Sequence, residues 1–414
     1  MNNSNFKILF SAFTFFFTIF FKWEGLDPTL LGWSNNALIL GFLCINYKCL
    51  QMLKSPYYKW INVFAILWVA LIMYSAYMNE GLSYDLPFWD TINNDVNFIT
   101  KSSLGIKRTA YFSLKIILFI LYFEYQNIFN RRKNILFLNY LFTFFLLYVI
   151  LSDINAFLYD VEGIEYKTGT KFYVCYLNIM LIAIYMMKFN NTVLVKKQKM
   201  FVNLIILITF LLSIKTKCTT MVIGTLIFYY LVSKLRNRES LYNPKIYLTL
   251  LFIFSILFFL IIELILSISV VQYVIVDILK EDLTLTGRVG IYARLGQVLN
   301  ESPIYGFGWG NSHVATLMYD VGTNAQNGLL NMFIEIGFLG CLFYLTMLYH
   351  MIKYSAKNKT SFPVLCFIYM MLILSCIEII YTNYFTAMIT LLILYIPNSI
   401  SNEKSRNYNR SSFA

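Results

Sequence analysis

Residues 282–340 read DLTLTGRVGIYARLGQVLNESPIYGFGWGNSHVATLMYDVGTNAQNGLLNMFIEIGFLG. This is the one long polar interruption in an otherwise apolar chain, and the contrast with its flanks decides the fold. It carries Arg288, Arg294, the alternating glycines Gly306, Gly308 and Gly310, one of the two histidines (His313), and an Asn-Ala-Gln-Asn entry into the next apolar run. Before it, apolar runs fall at 6–21, 30–47, 60–78, 110–125, 134–152, 172–189, 201–214, 218–233 and 247–269; after it, at 328–350, 363–379 and 383–397. A bilayer core takes roughly 20 apolar residues per helix. The pattern predicts an all-α polytopic membrane protein with about 12 transmembrane helices and one large outer loop between helices 9 and 10.

Composition agrees. The 414 residues are 59% hydrophobic and only 13% charged, a balance far from that of soluble domains. The chain reads as one integral membrane domain, 1–414, with the loop 270–327 carrying the candidate site. The first run resembles a signal-peptide core in length but lacks a small-residue cleavage site, and Lys22-Trp23-Glu24 follows directly; it is expected to stay as the first helix. Seven cysteines sit in or beside apolar runs without paired spacing, which argues against a disulfide framework. His313 and His350 lie too far apart for a zinc motif, and no metal or other cofactor is expected.

The net charge of +12 raises the question of nucleic acid, and its distribution answers it. Lys48, Lys54, Lys59, Arg131, Arg132, Lys133, Lys196, Lys197, Lys199, Lys234, Arg238, Lys245 and Lys353 fall in every second connection, and acids such as Asp27, Asp85, Asp160, Glu281 and Asp320 in the others. By the positive-inside rule the basic side is cytoplasmic, so both termini are expected inside and the polar loop outside. The charge sets orientation, and no nucleic-acid partner is expected.

Within the loop, Tyr292, Leu295 and Leu299 recur at helical spacing from Gly287 until Glu301-Ser302-Pro303 stops the pattern. An amphipathic helix at the outer membrane surface is expected there. Arg288, at its start, offers a planar fork suited to phosphate oxygens, and Arg294 is a weaker second cation. Lys215 and Lys217 run against the charge rule by occupying a tight outer turn between runs 7 and 8. They either snorkel at the interface or capture an anionic group. Gly306-Phe307-Gly308-Trp309-Gly310 has no preceding strand and no GK[ST], which excludes a phosphate loop; a turn that brings backbone close to substrate or helix is expected. Glu335, Glu263, Glu378 and Lys115 are ionisable groups inside apolar runs, and such groups are functional or structural ties.

A large outer loop that opens with Thr-Gly-Arg, passes through Pro-Ile-Tyr-Gly-Phe-Gly and leads into Asn-Gly-Leu-Leu…Ile-Glu-Ile-Gly-Phe-Leu-Gly resembles the O-antigen polymerase/ligase superfamily (Wzy-type) over roughly 209–345. The resemblance implies a GT-C-type glycosyltransferase of the bacterial cytoplasmic (inner) membrane that works on undecaprenyl-diphosphate-linked glycans, both as donor and as acceptor. Bilayer lipid, a chain-length regulator and a flippase are its expected partners, and it implies metal-independent chemistry. Thr216-Lys217 looks like the counterpart of the family's Ser-Arg motif, Arg288 matches its loop arginine, and Tyr292 stands where Trp is frequent. The family's His-Asn before the Gly-Leu-Leu helix is Gln326-Asn327 here, and glutamine cannot act as a base.

The expected site follows. Lys215, Lys217, Arg288 and Arg294 would hold the diphosphate, and cations there neutralise charge that develops on departure. Arg288, His313 and Gln326 would form the catalytic set, with the proton acceptor left open between His313 and a weak carboxylate or water. Tyr305, Trp309 and Asn327 would contact sugar, together with Tyr84, Phe88 and Trp89. Gly306, Gly308 and Glu335 would be structural. The function so implied is polymerisation of repeat units into O-antigen or capsular polysaccharide. The alternatives are an O-antigen ligase, which the missing histidine disfavours, and a lipid-linked oligosaccharide flippase, for which two repeated halves would be expected.

Overall fold

A computed structural model describes residues 3–90, 95–103, 105–159, 165–189, 195–235, 238–273, 276–277, 288–321, 325–355, 359–379 and 382–395. Each apolar run falls on helix over most of its length. In chain order these are α1 (Asn3–Ile19), α2 (Pro28–Asn46), α3 (Lys59–Met78), α4 (Ile106–Phe129), α5 (Asn134–Leu158), α6 (Lys171–Lys188), α7 (Lys196–Lys215) and α8 (Thr219–Lys234). The next run divides into α9 (Pro244–Leu251), a π segment (Phe252–Leu257) and α10 (Phe258–Leu266), followed by the short α11 (Ser269–Tyr273). Two loop helices, α12 (Arg288–Glu301) and α13 (Ser312–Met318), precede α14 (Gly328–Ser355), α15 (Phe362–Leu374) and α16 (Asn383–Thr390). Among the described residues, seven helical stretches are long and apolar enough to cross a membrane, and four further apolar helices are shorter. The architecture is that of a mostly helical membrane protein.

The helix starts follow local chemistry. Asp27 and Asn243 cap α2 and α9 through side-chain acceptors, each with proline in the first turn, and Thr170 and Thr382 cap α6 and α16. The interior helices are α6 and α15, buried nearly all round, while α2, α7, α8 and α10 expose Leu40, Leu207, Leu211, Leu226, Leu260 and Leu264. Leucines on the outside of long apolar helices fit a hydrocarbon surround, where no polar face is required.

The all-helical expectation needs one correction. Two antiparallel hairpins lie in the connections, β1 (Ser83–Asp90) with β2 (Asp95–Ser102), and β3 (Glu165–Tyr166) with β4 (Gly169–Thr170). Backbone groups in connections that leave the helices pair with one another in this way.

Contacts divide the connections between two ends of the bundle. At one end Glu24 N donates to Lys167 O (2.6 Å), Lys171 Nζ to Lys217 O (3.0 Å), Thr220 Oγ1 to Glu378 Oε1 (3.0 Å) and Asn79 Nδ2 to Gly306 O (3.2 Å). This end carries the polar loop. At the other, Lys133 reaches Ser4, Asn127 reaches the Tyr58 hydroxyl, and Asn134 reaches Leu394 O. That end carries Lys48, Lys54, Lys59 and the Arg131–Lys133 run.

Candidate functional site

The loop meets the bundle by breaking a helix. Gly337, inside α14, has φ 63° and ψ −173°, a region open essentially to glycine. An unbroken helix would pair Phe338 N–H with Ile334 O, and Leu339 N–H with Glu335 O. Instead Phe307 N–H and Gly308 N–H donate to those carbonyls at 2.8 and 2.7 Å, while Phe338 and Leu339 donate to Pro303 O and Ile304 O at 2.8 and 3.2 Å. Two intrahelical bonds are thus exchanged for four between loop and helix. Gly306 (φ +68°) makes the approach possible, since a Cβ there would lie 2.5 Å from the Glu335 carbonyl carbon. The Gly306 carbonyl in turn accepts from Ser75 Oγ (3.0 Å) and Asn79 Nδ2 (3.2 Å) on α3 and its end. The expected close approach of the glycine turn is to helix.

This junction fixes one wall of a cavity of about 410 Å3. Trp309 forms that wall: its ring stacks on Phe112 (5.3 Å, 9°), meets Trp68 edge-on (5.4 Å), and its Nε1 donates to Asn383 Oδ1 at 3.0 Å. Behind it the buried Glu335 accepts from Ser312 Oγ (2.9 Å) and Asn331 Nδ2 (3.1 Å) through Oε1. Arg108, Tyr111, Phe112 and Lys115 also line the cavity, at the three- and four-residue spacing of one face of α4, which meets the Trp309 wall through Phe112. Lys115 Nζ donates to Thr18 O (2.9 Å) and lies 4.8 Å from the Tyr111 ring centre. The cavity therefore offers one guanidinium, one ammonium and an aromatic wall.

A second cavity, of about 280 Å3, adjoins the first along Ile379, Thr382 and Tyr384. Lys22, Thr170, Tyr173, Tyr176, Gln326 and Glu378 line it. Gln326 is held in a left-handed conformation (φ +49°), with its carbonyl accepting from the Tyr292 hydroxyl at 3.0 Å. The same hydroxyl lies 2.8 Å from Cys376 O, so Tyr292 ties α12 to two segments of the cavity wall.

Of the residues singled out from sequence, Lys115, Trp309, Gly310, Glu335, Gln326 and Glu378 reach cavity walls. Arg288 opens α12 one turn before Tyr292, and its side chain lies outside the described residues, as do those of Phe88, Trp89 and Glu263. Lys215 and Lys217 are exposed; their turn touches the smaller cavity through Thr220 and Glu378 rather than lining it. Arg294 Nη1 donates to Asp320 O (2.9 Å), which fastens α12 to the end of α13. His313 sits behind Gly310, its Nδ1 3.1 Å from Gly310 O, and lines neither cavity.

Two expectations about sugar contacts change. Asn327 is fully buried, with Oδ1 accepting from Leu330 N (3.1 Å) and Nδ2 donating to Ser255 O (3.1 Å) in the π segment. Its amide is spent on capping α14. Tyr305 is 40% exposed and packs edge-on to Tyr74, away from both cavities. The expectation for α12 changes as well. Its apolar residues Leu295 and Val298 pack with Phe307, Ala315, Leu330 and Ile334 in a second core, so protein rather than lipid covers that face.

Sequence reasoning missed Arg108, Lys22 as a cavity cation, and the Thr382-Asn383-Tyr384 entry to α16. Arg108 stands seven residues before Lys115, two helical turns along one face, and that spacing was the available signal. Comparison of the chain with protein-family models, curated proteins and solved structures gives no match.

Proposed function

We propose that the chain is a repeat-unit polymerase for a surface polysaccharide, which moves a growing glycan from undecaprenyl diphosphate to a new lipid-linked repeat unit. The observation that carries this reading is the pair of adjoining cavities, with Lys22, Arg108 and Lys115 as cations and Trp309 as a wall, beside the polar loop. In this reading all twelve apolar runs cross the membrane, the basic end and both termini are cytoplasmic, and the cavities open to the outer leaflet. An acceptor sugar hydroxyl attacks the anomeric carbon of the donor glycan. The new glycosidic C–O bond forms as the bond from that carbon to the diphosphate oxygen breaks. Undecaprenyl diphosphate leaves with the electron pair, and the hydroxyl proton passes to a base. Cations aimed at the leaving diphosphate stabilise the charge that grows on it. Arg108 and Lys115 take that task in the larger cavity, with Arg288 added from the start of α12.

The test is polymer formation by purified protein from lipid-linked repeat units. Loss of one charge-assisted hydrogen bond is worth about 1.5–3 kcal/mol, on the order of a tenfold to hundredfold slowing. Arg108→Ala, Lys115→Ala and Arg288→Ala should each lose at least that much, and Arg288→Lys should recover only part because an ammonium lacks the fork. Wild-type rates in Arg108→Ala and Lys115→Ala, at matched protein level, would remove the cavity from the reaction. Transfer to a lipid A core acceptor without polymer would point to a ligase, and movement of intact repeat units across the bilayer without any new glycosidic bond to a flippase.

A further inference from the structure

The basic end of the bundle holds another polar cavity, of about 570 Å3, between α1, α2 and α4. Lys7 of α1, Lys48 just after α2 and Lys133 just after α4 line it, together with Gln126 and Asn130, while Asn46 on the same wall donates its amide to Ser11 Oγ and Phe42 O. Gln126 is buried, and the Lys133 ammonium is tied to α1 through Ser4 Oγ. Among the described residues none of these three lysines lies within ion-pair distance of a carboxylate; the ion pair found there, Lys22–Glu24, is at the opposite end. Lys7 and Lys48 are exposed and Lys133 is half-buried; like charges that line one polar space repel one another, and an anion in that space reverses the sign of the interaction. Tyr47, on its wall, and Phe6 and Leu50, close in sequence to residues that line it, present exposed apolar surface. A cage of cations and amides beside an apolar rim matches a phosphate group carrying acyl chains.

We propose that this cavity binds the phosphate headgroup of an anionic phospholipid from the leaflet at the basic end, with its acyl chains against the apolar rim. The site is independent of the reaction proposed above, being at the other end of the bundle. Free orthophosphate shares the headgroup chemistry, and the apolar rim separates the two sources. The test is native mass spectrometry of the full chain, delipidated in detergent and titrated with phosphatidylglycerol, phosphatidylcholine or inorganic phosphate. Phosphatidylglycerol should be retained at least about tenfold better than phosphatidylcholine. The K7Q/K48Q/K133Q variant should weaken it on the order of a hundredfold, while K7R/K48R/K133R keeps it within a few-fold. K196Q/K197Q/K199Q removes three charges elsewhere at the same end, and should also leave binding within a few-fold. Equal retention of the two lipids, displacement of phosphatidylglycerol by millimolar phosphate, or an equal loss in K196Q/K197Q/K199Q would each overturn the proposal. If the Gln variant fails to fold, the Arg variant and the wild-type titrations still decide.

Discussion

Gln326 and Glu378 line the same small cavity, and the difference between their side chains bears on where a hydroxyl proton can go. An amide can orient a sugar through hydrogen bonds but cannot accept its proton, whereas a carboxylate can do both. Glu378 Oε1 accepts from Thr220 Oγ1, a bond that the isosteric glutamine would also accept, so under the proposed reaction Glu378→Gln removes a carboxylate able to take the proton with little cost to the fold. A positioned base is worth about 10²–10⁴-fold, and Glu378→Gln is expected to lose turnover in that range with purified lipid-linked repeat units. His313 lines neither cavity, so His313→Gln should stay within a few-fold of wild type with an unchanged pH–rate profile. A hundredfold loss in His313→Gln beside an active Glu378→Gln would return the base to the histidine. Trp309 shows how a residue can be part of a site without facing its ligand broadly: Phe112 stacks on its ring, which makes it a rigid wall.

At the scale of elements, the break in α14 joins loop to bundle. Irregular backbone inside a membrane helix persists only where protein satisfies its polar groups, and the four bonds to Pro303, Ile304, Phe307 and Gly308 do so. Gly337→Ala places a Cβ against Ile304 O and asks alanine to hold a glycine-only conformation, which costs about 1–3 kcal/mol before the clash is counted. The expected outcome is a clearly lower Tm in detergent and loss of the loop's docking. Gly296, in the middle of α12, has nothing within 4 Å of an added Cβ, and Gly296→Ala should stabilise by up to about 1 kcal/mol. Thermal unfolding of the two variants side by side checks the contrast, and a Gly337→Ala protein as stable as wild type would mean that the break is not required. α12 is held from both ends of its inner face, by Tyr292 at Gln326 and Cys376 and by Leu295 and Val298 in the second core. Movement of this helix would therefore be transmitted to the wall of the smaller cavity.

For the whole molecule the testable quantity is which end faces which compartment. Lys199 and Gln297 are both exposed, the first at the start of α7 and the second on α12. Among the cysteines only Cys44 and Cys376 are not buried, so replacing these two leaves a background with little reactive thiol. An impermeant maleimide applied to intact cells is expected to label Gln297→Cys and to spare Lys199→Cys. The reverse pattern would invert the orientation and place the cavities where no exported repeat unit could reach them.

Much of this protein was legible in its sequence. Apolar period and length mark the helices, charge alternation sorts the connections, and the spacing of Tyr292, Leu295 and Leu299 up to Pro303 delimits a loop helix that the structure ends at Glu301. The glycines before α14 could be read as a close approach because left-handed backbone and absent Cβ are properties of single residues. Other features were decided only by tertiary structure. Gly337 looks like any glycine in an apolar run until a loop occupies the carbonyls it frees. Asn327 looks like a polar group at a site until its amide is found capping α14 and holding Ser255 O. The cavity cations Lys22, Arg108 and Lys115 come from the connection after α1 and from α4, while the walls they meet are built from Thr170–Tyr176 at the start of α6 and from residues between Trp309 and Tyr384. Periodicity records how deeply each residue is buried along its own helix. It does not record which helices become neighbours, and a site made of side chains from several helices exists only once that packing is set.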